Sequence, residues 1–382
     1  MHKSYLIQLY PNKDQAILLD KNFGCARWIY NEMIRINQKV YHRTGKGLSS
    51  YEMSSYLPKL KKQYPWLKEV NSQSLQVVCH NLANAYNNFF KKKSRYPVFK
   101  KKNSINSFST INNSSLLEKH IKLSKFGLIK YRGGDQPEGE VKNFTIKKNA
   151  GKYYASILVE TVEELPEEKP INNILGIDLG IKDIAVTSSG DVIKAPKFFR
   201  KQKIRLREAQ KNLSRCQKGS KRRAKARLIV AIIHAKIKNQ RKDFNHKITR
   251  SLVNKSENQT FAIEDLNVKG MMANHKLAGA IADSGWYQFK TFLKYKAAAV
   301  GKPVIGVGRF YPSSKTCSAC GIVNKSLTLK QREWVCECGA KHHRDINAAI
   351  NIASEAARSA VRGDGVIPNV LRMVTICEAK SS

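Results

Sequence analysis

The sequence predicts two parts in series: a small β-barrel or sheet interrupted by helices, then an α/β domain with a cysteine-rich insertion. Three observations predict this. Alternating apolar residues near the start and between 104 and 159 bracket a long helical stretch. A connector, "ETVEELPEEKPINN", carries five glutamates between Glu160 and Glu168, then Pro170, and reads as an exposed boundary. After it, short apolar strands and amphipathic helices follow one another, as in an α/β fold.

The elements follow in order. "KSYLIQLYP" alternates with period two and reads as a strand. Residues 13–94 read as a helical domain. Its clearest helix, "LQVVCHNLANAYNNFFKKK", sets Leu75, Val78, Leu82, Ala85 and Phe89 on one apolar face. A basic tract, "KKKSRYPVFKKK", follows, with seven Lys or Arg in 12 residues and Tyr96 and Phe99 between them. "NSFST", "HIKLSKFGLIKYRGG", "VKNFTIKK" and "KYYASILVE" read as short strands with Gly and Asn turns. Residues 1–12 and 95–168 together make the small barrel. The second domain, 169–382, opens with "NILGIDLG", "DIAVTSS" and "DVIKA" as three strands. A basic helical region spans about 199–253, with 13 Lys or Arg among the 28 residues from Arg200 to Arg227. Leu228, Ile232 and Ala235, then Phe244, Ile248 and Leu252, supply its inward face. "QTFAIEDL" is a strand, "SGWYQFKTFLKYKAAAVG" a helix capped by Ser284 and ended by Gly301, and "KPVIGVGRF" a strand. An insert at about 313–343 precedes a last helix from Asp345. Strand, strand, strand, helix, strand, helix, strand, helix is the order of a ribonuclease-H-like domain.

Composition narrows the function. Of 382 residues, 42% are hydrophobic, as in a folded protein, yet 69 Lys and Arg against 29 Asp and Glu give a net charge of +40. Such an excess implies a polyanionic partner, nucleic acid above all. A membrane partner is excluded by the lack of an amphipathic anchor or a long apolar run. The start lacks the apolar core of a secretory leader, so the sequence predicts a cytoplasmic protein with reduced thiols. Cys25, Cys79, Cys216 and Cys377 are scattered and read as unreactive thiols.

Three acids stand where apolar residues are expected. Asp178 lies in the strand "ILGIDLG", Glu264 ends "FAIE", and Asp345 shares a helix face with Ala348, Ala349 and Ile352. A buried carboxylate is costly unless paired or bound to a metal. Three that converge suit hard ions such as magnesium or manganese, and phosphodiester chemistry. Asp265 faces the other side of its strand, and Asp183 sits in a turn. Separately, Cys317 and Cys320 form a C-x-x-C pair, and Cys336 and Cys338 a C-x-C pair. Four thiolates suit a structural zinc, with His342 or His343 as an alternative to one of them. Candidate nucleic-acid contacts are Gln76, Lys91, Lys92, Lys93, Arg95, Tyr96, Phe99 and Lys100, then Arg205 and Arg222, and Arg344 beside Asp345.

The motifs "GIDLGIKDIAVTSSG", "IEDLNVKGM", "FYPSSKTCSACG", "CECG" and "HRDINAAINI" together resemble the TnpB family, the OrfB-type proteins of bacterial insertion sequences. The resemblance spans about 174–353, with a weaker echo in "YPVFKKKNSINSF". It implies a transposon-encoded, RNA-guided DNA endonuclease related to type V CRISPR effectors, cutting target DNA next to a short flanking motif. It implies that Asp178, Glu264 and Asp345 form a RuvC-type triad using magnesium or manganese. The cysteines would belong to a zinc-bearing insert near the target strand. The N-terminal half would be a wedge barrel with recognition helices, holding a transposon-derived guide RNA and double-stranded target DNA in the bacterial cytosol. Two departures stand out: the second cysteine pair is one residue short, and "HHRD" stands where "HDRD" is frequent. Two other readings stay open: a nuclease-inactive RNA-guided regulator and a strand-joining transposase.

Overall fold

Apolar alternation does place a strand at the start of the chain, β1 (His2–Tyr10), burying Ser4, Ile7 and Leu9. The computed structural model describes residues 1–102, 106–110, 114–132, 137–255, 257–328 and 331–362. Residues 363–382, the end of the expected second domain and the site of Cys377, lie outside these. The described residues divide into two units, Met1–Glu163 and the chain from Glu164 on.

In the first unit, Asn12 starts helix α1 (Lys13–Thr44) through a capping box. The Asn12 Oδ1 accepts from the Gln15 N–H at 2.8 Å, and the Gln15 Oε1 accepts from the Asn12 N–H at 3.0 Å. Helices α2 (Ser50–Gln63) and α3 (Ser72–Phe90) follow, separated by a single 3₁₀ turn at Pro65–Lys68. On α3, Leu75, Val78 and Leu82 are buried as expected, joined by Cys79, Ala83 and Tyr86. Ala85 and Phe89 are only half-buried, because the face turns toward Tyr86.

The remaining strands are β2 (Asn106–Thr110), β3 (Ser115–Leu116), β4 (His120–Leu123), β5 (Gly127–Arg132), β6 (Glu140–Asn149) and β7 (Lys152–Glu160). They form a seven-stranded antiparallel sheet in the order β2-β6-β7-β1-β5-β4-β3. Strand β1 sits in its middle, paired with β7 from His2↔Glu160 to Leu9↔Tyr153 and with β5 from Gln8↔Arg132. Among the described residues, no pairing of β2 with β3 closes this sheet into a barrel. Leu19, Phe23, Ile29 and Met33 of α1 share one core with Phe144, Ile146 and Ile157 of the sheet.

The second unit is built on β8 (Ile174–Asp178), β9 (Asp183–Thr187), β10 (Val192–Lys194), β11 (Thr260–Glu264) and β12 (Val304–Val307). Their order is β10-β9-β8-β11-β12. The first three form an antiparallel meander, and β11 and β12 run parallel to β8. This is the ribonuclease-H-like arrangement. Its helices are α4 (Phe198–Arg215), α5 (Lys221–Asn254), the single turn α6 (Val268–Met271), α7 (His275–Ser284), α8 (Trp286–Ala298) and α9 (Arg344–Val361). A short hairpin, β13 (Glu333–Val335) with β14 (Lys341–His343), leads into α9. Helix α9 crosses β8 at Gly176, where an added methyl would lie 2.0 Å from the Ala349 carbonyl oxygen. Only glycine permits that approach. Among the described residues, no helix is long and apolar enough to cross a membrane.

Two expectations are corrected. Ser284 does not cap α8: it ends α7, its hydroxyl donating back to the Ala280 carbonyl at 3.0 Å, and Gly285 separates the two helices. The first half of the inward face of α5 is one residue off, whereas Phe244, Ile248 and Leu252 pack on the core as expected. Leu228 and Ile232 are exposed, while Ile233 and Ile237 are buried against Leu206 of α4. The run from Leu228 to Ile233 is apolar almost throughout, so spacing alone permits both registers and the partner helix selects one.

Candidate functional site

Three carboxylates meet at one end of the second unit's sheet. Asp178 is the last residue of β8, and Glu264 is the last of its parallel neighbour β11. The register Ile263↔Ile177 brings the two acids level. Asp345 lies in the first turn of α9 and is buried, at 8% exposure. The close crossing of α9 over Gly176 carries it to the same end.

Asp178 feels the charge of the other two. Burial, then the charges of Glu264 and Asp345, push the Asp178 carboxyl up from 3.8 to about 7, against a smaller downward pull from Arg344 and Arg332. Burial also pushes the Glu264 carboxyl up, opposed by a hydrogen bond from the Ser313 hydroxyl. Asp345 is held by ion pairs with Arg332 and with Arg344, whose Nε lies 3.3 Å from Oδ1. A buried Asp178 carboxyl raised further by two neighbouring carboxylates fits an oxygen-preferring divalent cation such as magnesium or manganese. Asp265 points away, its carboxylate paired with Lys290 at 2.5 Å. Asp183 opens β9.

Sequence reasoning missed the frame around these acids. Asn347 accepts from the Ser318 N–H at 3.0 Å and donates to the Thr316 carbonyl at 2.7 Å. Asn351 donates to the carbonyls of Ser313 at 2.8 Å and Thr316 at 2.6 Å. A polar relay thus runs from α9 through Ser313 to Glu264. One signal was available: two asparagines four residues apart beside the apolar face of "INAAINI".

Four sulfurs gather next to this frame. The Sγ atoms of Cys317, Cys320, Cys336 and Cys338 all lie within 4.8 Å of one another. Cys317–Cys338 is 3.8 Å and Cys320–Cys336 is 3.6 Å. Tetrahedral zinc with Zn–S bonds of about 2.3 Å sets its sulfurs about 3.8 Å apart, so the cluster fits zinc. Both members of the short C-x-C pair reach it. The turn holds them, with the Gly339 N–H donating to the Cys336 carbonyl at 2.9 Å. The His342 Nε2 stands 3.0 Å from the Cys317 sulfur, within hydrogen-bonding reach. Burial raises the Cys317 thiol, but the N–H groups of Cys320 and Ala319, with His342, outweigh it and bring it down to about 6.

The expected nucleic-acid contacts divide. Gln76, Lys91, Lys92, Lys93, Arg95, Arg205 and Arg222 are exposed. Tyr96 is 41% and Phe99 47% exposed; Tyr96 packs edge-on to Phe89, and Phe99 lies under the Arg35 guanidinium. The Lys100 ammonium turns back onto the Tyr30 ring, 3.9 Å from its centre. Arg344 does not face outward: its guanidinium braces Asp345 and donates to the Gln331 carbonyl at 3.3 Å.

Family models match three stretches: "Helix-turn-helix domain" over 1–46, "Probable transposase" over 156–275 and "Cas12f1-like, TNB domain" over 286–352. Residues 1–46 here hold a strand and one unbroken helix. A protein of Streptomyces pristinaespiralis, named as a candidate RNA-guided DNA endonuclease, is 36% identical over 96% of this chain and 92% of its own. A protein of Escherichia coli K12 with the same description is 31% identical over 92% of this chain and 91% of its own. A mimivirus protein named TnpB-like is 30% identical over 47% of this chain and 36% of its own. Among solved structures, a Cas12f1–sgRNA–target DNA complex aligns with 18% identity and a TM-score of 0.36, covering 92% of this chain and 99% of that one. A CRISPR-Cas12f ternary complex aligns with 16% identity and a TM-score of 0.40, covering 90% and 82%. With two relatives above 30% identity along nearly their whole length, the chain belongs to the TnpB family of OrfB-type insertion-sequence proteins.

Proposed function

We infer that this protein is a transposon-encoded, RNA-guided DNA endonuclease whose cutting site is Asp178, Glu264 and Asp345. One observation carries the site: Glu264 and Asp345 both raise the Asp178 carboxyl, so three acids from separate elements share one field. Held by these carboxylates, magnesium or manganese ions supply water activation and charge stabilisation at a phosphodiester. The chain's own residues prepare the place. The Ser313 hydroxyl fixes the Glu264 carboxylate, and Arg332 and Arg344 fix that of Asp345. Cys317, Cys320, Cys336 and Cys338 would hold a zinc ion, which would tie down the β13–β14 hairpin from which α9 starts. The first unit is a wedge with recognition helices, and its basic tract 91–102 grips the guide RNA. The second basic tract, on α4 and the start of α5, adds surface for the nucleic-acid duplex.

The test is cleavage of a plasmid bearing a sequence that matches the RNA purified with the protein. Asp178→Ala, Glu264→Ala and Asp345→Ala are each expected to reduce cutting by about a thousandfold or more while guided binding persists, since basic contacts dominate affinity. Full cutting by any one variant removes that acid from the site. Target-specific cutting after ribonuclease treatment overturns RNA guidance.

A further inference from the structure

We propose that the face of α1 around Gly24 is a cleft for one unstacked nucleobase. The cleft, of about 430 Å³, is lined by Gly24, Cys25, Trp28 and Trp66, with Arg27, Asn31 and the ion pair of Lys21 with Glu69 at 2.6 Å around it. That volume suits a small ligand. The two indoles stand edge to face at 5.1 Å and 80°, and Tyr64 packs on Trp28 at 4.7 Å, so the wall is braced. Trp66 remains 38% exposed.

Gly24 supplies the independent observation. It lies in the interior of a 32-residue helix, where glycine is weaker than alanine. A methyl group at Gly24 would meet no atom within 4 Å. Among the described residues nothing therefore requires glycine, and its absent side chain leaves the cleft floor open to an outside group. Charge says what kind of group. The basic tract 91–102 is tied to the cleft's edge: Asn31 donates to the Lys100 carbonyl at 3.0 Å and accepts from the Lys100 N–H at 2.7 Å. A flat aromatic ring attached to phosphate is the ligand that two indoles beside a lysine-rich segment select. The inference rests on the nucleic-acid reading above, and the base can come from RNA or from DNA.

The test uses the purified ribonucleoprotein, alone and with matching DNA duplex. Ultraviolet irradiation joins stacked bases to aromatic side chains, and peptide mapping locates the adduct. The expected result is an adduct on Trp66 or Trp28, whose mass distinguishes a ribonucleotide from a deoxyribonucleotide. Gly24→Ala is expected to leave the melting temperature equal or higher, yet to weaken binding of the adduct-bearing strand about tenfold, the order of one lost base stack. Trp66→Ala is expected to weaken it similarly, and Trp66→Phe to restore most of it. Adducts elsewhere but none on these tryptophans, with wild-type affinity in Gly24→Ala and Trp66→Ala, overturn the cleft and spare the nucleic-acid reading. No adduct anywhere and no RNA in the preparation overturn both.

Discussion

Ser313 is buried at 5% exposure and spends its hydroxyl on Glu264, while its carbonyl accepts from Asn351. It therefore positions a carboxylate without being a ligand itself. Ser313→Ala is expected to slow cleavage about tenfold at saturating target, since a hydrogen bond to a charged group is worth about 1.5–3 kcal/mol. Target affinity should hold, and Ser313→Thr should recover much of the rate; single-turnover kinetics beside binding titrations check this. Asp178 and Glu264 were legible in the sequence because a carboxylate closing an apolar strand is a visible conflict between charge and burial. Ser313 was not, because its partner lies 49 residues away and only the fold joins them. Arg344 misled for a related reason. Beside a predicted metal ligand, a basic residue reads equally as a nucleic-acid contact or as a brace, and the burial that decides comes from the start of α9.

Elements add two expectations. His246 of α5 is packed against Phe292 of α8 with ring centres 3.8 Å apart. Burial, then Lys296 and Lys242, push its pKa down from 6.5 to about 3. A base held neutral contributes stability that is complete above its unfolded value and is lost as pH falls from about 6.5 toward 3. His246→Phe is expected to flatten the fall of melting temperature over that range, measured by calorimetry. The zinc hairpin carries the second. Cys317→Ser, or removal of the metal by a chelator, should lower zinc from one per chain to none, loosen the β13–β14 hairpin and reduce cutting. Elemental analysis with hydrogen exchange over residues 331–352 reads both. Most strands were readable, β1 and β7 from period-two runs and β8, β9 and β11 from short apolar runs, whereas the order in which they pair came only from the fold. The first half of the face of α5 was not readable, because an apolar run one residue too wide contains two helical stripes.

At the scale of the whole molecule, +40 of charge makes RNA binding a salt-dependent equilibrium. With six to ten phosphates contacted, affinity should fall about a thousandfold or more between 50 and 200 mM salt, measured by filter binding. A shallow slope would mean that the basic tracts do not hold the backbone. The pairing of β1 bears on something else, the order in which the chain matures on the ribosome. The strand made first sits in the middle of its sheet, and its main partner, β7, ends at Glu160. At 5–20 residues per second, β1 waits on the order of ten seconds for that partner. Helices α1, α2 and α3 emerge in the interval and can collapse on local contacts, but their core lacks its floor until β6 and β7 arrive. The nascent chain is therefore basic and half-packed, with the β7-facing edge of β1 exposed for that time. The basic tract 91–102 precedes β6 and β7 in the chain, so its charge is available to a polyanion before the sheet is complete.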